Sequence, residues 1–129
     1  MLANYILKMK HNLRSIFLRK EGATAKNRIL DFLAISDVFY FSLRQISNRS
    51  GVKYSKAKKV HKELLANNWL ATKKHGKVNA YKLNYKNIKV RDFVKRFESI
   101  IDAYYAEQEP RAIYTQSGAA AAQMSAKTV

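Results

Sequence analysis

The sequence predicts a mainly helical α+β fold in which one small β-hairpin stands among α-helices. Three observations lead there. Apolar residues recur at steps of three and four along most of the chain, the stretch from Trp69 to Leu83 instead splits into two short runs around Lys74-His75-Gly76-Lys77, and serine, glycine and asparagine stand where the elements must end. The chain has 129 residues, 47% of them hydrophobic, which suits one domain with appendages around a single core.

Leu2, Ile6, Met9, Leu13 and Ile16 form a stripe close to a heptad seam, so residues 1–22 read as an amphipathic helix, basic through Lys8, Lys10, Arg14, Arg19 and Lys20 and ending at Glu21-Gly22. Thr24 should cap a second helix reaching Ile35, with Ile29, Leu30, Leu33 and Ala34 facing the core. Val38-Phe39-Tyr40-Phe41 is β-branched and aromatic, and predicts a brief strand with its aromatic rings in the core. Ser42-Leu43-Arg44-Gln45 has the form of a capping box, opening a short helix to Ser50.

Gly51 supplies a tight turn, and from Lys53 the spacing of Ala57, Val60 and Leu64 predicts a helix over 53–68 with one buried edge and lysines on its other faces. Residues 70–83 then read as a hairpin with a basic tip, and Trp69 as an apolar anchor beneath it. Over 87–109 the stripe Val90, Phe93, Val94, Phe97, Ile100, Ile101, Tyr104 and Tyr105 predicts a final amphipathic helix that stops by Pro110. Residues 110–129, with Gly118 and the run Ala119–Ala122, are a low-complexity tail to which no function attaches.

Twenty-five lysines and arginines face nine acidic residues, a formal net charge of +16 that concentrates polyanions at the surface. The excess is patterned: residues 1–20, 42–63 and 64–89 carry it, whereas 21–41 and 90–109 are net acidic. Cysteine is absent, which excludes disulfides, thiolate metal sites and thiol catalysis. The charges Lys8, Lys10, His11 and Arg14 interrupt the apolar N-terminal stretch, and no run is long enough to span a membrane, so an intracellular, soluble protein is expected.

His11, His61 and His75 have no second ligand at metal spacing, and Asp31, Asp37, Glu63 and Asp92 make no acid-base pair. With no glycine-rich phosphate loop or nucleophile motif either, the expectation is a binding protein that is not an enzyme and needs no cofactor or metal.

Residues 23–86 resemble the winged helix-turn-helix superfamily, and within it the small bacterial and archaeal dimeric regulators of the MarR and ArsR type. The resemblance rests on Leu43 and Ile46 in the first helix of the motif, Gly51-Val52 in its turn, Ala57, Val60 and Leu64 on the second helix, and a wing from Leu70 to Tyr81-Lys82-Leu83. It covers about half the chain. One departure is Lys53, where such families usually place a capping serine or threonine, which leaves Ser55 as the cap of a shorter helix.

The resemblance implies a protein that reads double-stranded DNA through the major groove with the helix 53–68. Tyr54, Ser55, Lys56 and Lys59 are the expected base contacts; Arg44, Arg49, Lys53, Lys58 and Lys62 the expected backbone contacts; and Lys73, Lys74, His75 and Lys77 the wing contacts to a minor groove or its phosphates. A homodimer is expected to form through Leu2, Ile6, Met9 and Leu13 together with Phe93, Phe97, Ile100, Ile101 and Tyr104, presenting two reading helices to a pseudo-palindromic site.

The leading expectation is a dimeric transcriptional regulator in the prokaryotic cytoplasm, associated with the nucleoid. Its alternatives are a chromatin-like architectural protein that coats DNA and a plasmid or viral replication or partition factor, with structured RNA a fourth target. An anionic membrane surface is the competing partner for the basic N-terminal helix.

Overall fold

The structure, a computed structural model, describes residues 15–108. Among these residues the order is α1 (Ile16–Glu21), α2 (Ala25–Ile35), α3 (Leu43–Ser50), α4 (Tyr54–Ala66), β1 (Leu70–His75), β2 (Val78–Leu83) and α5 (Ile88–Gln108). The chain divides after Phe97 into two compact units, Met1–Phe97 and Glu98–Val129, and each stands here by itself.

Every helix start but that of α4 follows from a side chain that takes up an otherwise unpaired backbone N–H. The Ser15 hydroxyl accepts from the N–H of Leu18 at 3.0 Å, and Thr24 accepts from that of Asn27 at 3.1 Å. Ser42 and Gln45 form the expected capping box: Gln45 N–H donates to the Ser42 hydroxyl at 3.2 Å, and Ser42 N–H donates to Gln45 Oε1 at 2.9 Å. Asn87 caps α5 through the N–H of Lys89 at 2.9 Å while its Nδ2 donates to the Asn68 carbonyl at 3.0 Å, fastening the start of α5 to the end of α4.

The helix boundary at Ser15 corrects the expectation of one unbroken helix across residues 1–22. Ser15 is extended, with φ −72° and ψ 162°, because capping α1 requires it to leave helical geometry. Leu2, Ile6, Met9 and Leu13 lie outside the described residues.

The expected strand Val38–Phe41 does not form. Phe39 N–H donates to the Ser36 carbonyl at 3.2 Å, closing a turn, and the Tyr85 hydroxyl donates to Asp37 at 2.8 Å. These bonds hold the segment in a turn, so Val38 and Phe39 are 69% and 63% exposed instead of packed in a core. Strand propensity over so few residues yields to such local bonds. Phe41 alone pairs, in an antiparallel bridge to Tyr81, and it is the one ring of the run that is buried.

In the first unit α2, α3 and α4 pack on one another, and β2 packs on α2 and α3. Leu33, Ile46, Leu64 and Leu83 are almost wholly buried where these elements meet, and Val90 of α5 is buried as well. Phe17 joins them from α1 at 0% exposure, edge-on to Phe93 at 5.6 Å and tilted against Phe97 at 5.2 Å. Trp69, expected as an apolar anchor beneath the hairpin, is half-buried with its ring 5.8 Å from that of Phe93.

Phe93 and Phe97 are each only 4% exposed, closed over by their own Phe17, which corrects their assignment to a dimer interface. A ring already withdrawn from water has little surface left to offer a second copy. In the second unit the described part of α5 carries Ile100, Ile101, Tyr104 and Tyr105, all half-buried, at the spacing of one helical stripe.

Candidate nucleic-acid interface

The turn between α3 and α4 is built from short-range bonds. Gly51 ends α3 at φ +74°, a left-handed conformation that suits glycine, and the Ser47 hydroxyl donates to the Val52 carbonyl at 2.6 Å. Val52 N–H donates back to the Ser47 carbonyl at 3.1 Å, and the Val52 side chain is buried. With both sides of the turn tied and Ala57, Val60 and Leu64 buried, α4 is anchored against α2 and α3.

The faces of α4 are unequal. Ala57, Val60 and Leu64 are buried, while Tyr54, Ser55, Lys56, Lys58, Lys59 and Lys62 are all exposed. At 3.6 residues per turn, Ser55, Lys59 and Lys62 stand opposite the buried edge and point away from the protein. Lys56 and Glu63 share the flank that faces α2, where Lys26 donates to Glu63 at 2.7 Å. Tyr54, Lys58 and His61 share the other flank.

On that second flank the Arg44 guanidinium lies 4.5 Å from the centre of the Tyr54 ring, and the Lys58 ammonium 5.7 Å from it. The stacking orients the ring and brings α3 and α4 cations together at the start of α4. His61 sits edge-on to Tyr81 at 4.3 Å with Nε2 buried and unpartnered, and burial pushes its pKa below the usual imidazole range. It therefore adds no charge to the face at neutral pH.

The helix begins at Tyr54 with Lys53 in the cap position, making no side-chain cap bond, so Ser55 does not open a shorter helix. Lysine has no acceptor with which to cap.

The hairpin pairs Leu70 with Leu83 through His75 with Val78, closed by the two-residue turn Gly76-Lys77 in which Gly76 has φ +62°. Lys73, Lys74, His75 and Lys77 are all exposed at its outer half, as the sequence led one to expect. Lys73 and Lys82, diagonal neighbours across the strands, flank the Tyr40 ring at 5.7 Å and 5.0 Å. Arg49 lies over Phe41 at 5.4 Å, exposed at the end of α3.

Two participants escaped the sequence reading. Arg28 of α2 reaches across to the Gly51 carbonyl at 3.4 Å, and Lys82 joins Lys73 on Tyr40. Neither has a local signal, because each partner is remote in sequence. Among the described residues no group of three or more His, Asp or Glu gathers as a metal site, and no helix is long and apolar enough to cross a membrane.

A helix-turn-helix followed by a basic hairpin is a winged helix-turn-helix fold, the one the sequence resembles. No protein-family model matches the chain, and no curated protein sequence matches it. Solved structures do. The adhesin competence repressor of Streptococcus pyogenes matches with a TM-score of 0.51 at 14% identity, over 81% of this chain and 80% of that one. ZitR of Lactococcus lactis, a mutant in apo form, matches with a TM-score of 0.50 at 17% identity, over 91% of this chain and 94% of that one. A homodimeric winged helix-turn-helix DNA-binding domain from Mycobacterium bovis, a possible ArsR-family regulator, has a TM-score of 0.47 at 19% identity, covering 77% and 90% of the two chains.

Proposed function

We propose that the chain is a DNA-binding transcriptional regulator that places α4 in the major groove and the hairpin 70–83 on an adjacent minor groove or its phosphates. The observation that carries this reading is the outward face of α4: Ser55, Lys59 and Lys62 project from a helix whose opposite edge is locked into the core, beside a hairpin whose exposed end is also cationic. The major groove admits one α-helix, and a rigidly held helix fixes which side chains meet base edges. Tyr54, Ser55 and Lys59 then contact bases, whereas Arg44, Arg49, Lys53, Lys58 and Lys62 contact phosphates. Lys56, on the flank toward α2, moves from the base-reading set to the phosphate-contacting set.

The working form is a homodimer. Two reading helices related by a two-fold axis would meet half-sites about 34–36 Å apart, and the half-buried stripe Ile100, Ile101 and Tyr104 is the surface proposed to bring the copies together. The S. pyogenes structure with this fold is that of a repressor, which agrees with a regulator. The protein is proposed to work in the bacterial cytoplasm, to need no cofactor, and to catalyse nothing.

A second reading, DNA coating without sequence preference, is favoured by one feature. The cations of α4 are all lysines, which lack the bidentate fork that reads guanine best. Titration against random genomic duplexes at two salt concentrations, with sequencing of the retained fragments, separates the two. Enrichment of one short inverted repeat establishes the regulator, and uniform retention lost at high salt establishes coating. Under either, Lys58→Gln and Lys62→Gln should each lower the slope of log affinity against log salt by about one. Absence of duplex binding at low salt overturns both.

A further inference from the structure

We propose that the groove between the start of α2 and the turn leading into α4 is a seat for one phosphoryl group, held by Arg28, Lys53 and Lys56. The groove is a cavity of about 410 Å³, open to solvent. Its charged lining residues are these three cations, with no carboxylate among the residues that form it. The nearest acid on that flank of α4, Glu63, is paired with Lys26 at 2.7 Å. Three like charges drawn from two elements around one concavity repel one another unless an anion lies between them.

The individual groups suit a phosphoryl oxygen set. Arg28 donates to the Gly51 carbonyl at 3.4 Å, which holds one edge of its guanidinium on the turn and leaves further N–H groups of the fork for an anion. Lys53 stands in the cap position of α4 and makes no cap bond, so the first N–H groups of that helix lack the side-chain acceptor that the other helix starts of the motif possess. An anion oxygen in the groove would serve as that acceptor. Ala23 and Ala25 line the opposite wall, and their small side chains leave the space open. The unusual lysine at the cap thus acquires a purpose that a capping serine would not serve.

A phosphoryl group can come from a DNA backbone flanking the base-reading helix or from a free phosphate-bearing ligand. The first source rests on the function proposed above, but the seat itself does not. The test uses the full chain, wild type and Arg28→Gln, with thermal unfolding confirming that both are folded. One arm measures duplex affinity against salt. A backbone phosphate in the seat predicts that Arg28→Gln lowers the slope by about one and weakens all sequences alike, while Arg28→Lys retains most of the slope.

The other arm adds inorganic phosphate in place of chloride at matched ionic strength and follows the amide resonances of Ala25, Val52 and Lys53. Shifts that saturate in wild type and vanish in Arg28→Gln, while Lys89→Gln keeps them, show the seat taking phosphate free in solution. A response in either arm supports the seat and identifies its source. Failure of both to respond to Arg28→Gln overturns it. If wild type binds no duplex at all, the DNA reading fails by itself and the phosphate arm decides the seat.

Discussion

The Ser15 hydroxyl donates to Asp31 Oδ1 at 2.9 Å, joining the start of α1 to the middle of α2 where Asp31 is only 3% exposed. The bond favours the carboxylate, but burial outweighs it and pushes the Asp31 pKa up to about 6. Between its ordinary value of 3.8 and that value, the folded chain holds a proton that the unfolded chain has released. The contribution of Asp31 to stability is therefore greatest at low pH and is lost as pH rises through about 6.

Denaturant titrations of wild type and Asp31→Asn should show this directly. The asparagine retains an acceptor for Ser15 and carries no charge to desolvate. Its stability relative to wild type should rise by about 2 kcal/mol between pH 4.5 and 7.5, with no further change above. An unchanged difference across that range would mean that water reaches the carboxylate.

Phe17 is wholly buried, with both Phe93 and Phe97 in ring contact, so its truncation removes contacts to two rings and leaves a cavity. Phe17→Ala should lower the unfolding free energy by about 3–5 kcal/mol, read from urea melts. A loss below about 1 kcal/mol would show that α1 is an appendage instead of a part of the core.

The stack of Arg44 on Tyr54 separates two roles of one side chain. Tyr54→Phe keeps the ring and removes only the hydroxyl, so it should reduce discrimination between bases by about 1 kcal/mol while leaving non-specific affinity intact. Tyr54→Ala also frees Arg44, and should weaken binding to every sequence. Competition assays with matched and mismatched duplexes measure both, and equal effects of the two variants would assign the role to the hydroxyl alone.

Much of this was legible in the chain. The capping box at Ser42 and Gln45, the turn at Gly51, the buried edge Ala57, Val60, Leu64 and the basic hairpin were all expected and are all present. They were readable because each depends on residues a few positions apart. The strand at Val38–Phe41 was misread because its fate depends on Tyr85 and Tyr81, far along the chain. The role of Phe93 and Phe97 was misread for a related reason: periodicity shows that a stripe must be covered without showing what covers it, and here the cover is Phe17.

The sequence by itself determined most of the local elements, the placement of positive charge in particular segments, and the winged helix-turn-helix order, since caps, turns and periodic stripes are short-range properties. Only the tertiary structure decided which cations face outward and which converge. Lys59 and Lys62 project from α4, whereas Lys56 and Arg28 line one groove whose walls are remote in sequence. The direction of a side chain around a helix becomes a position in space only after the buried edge of that helix has found its core.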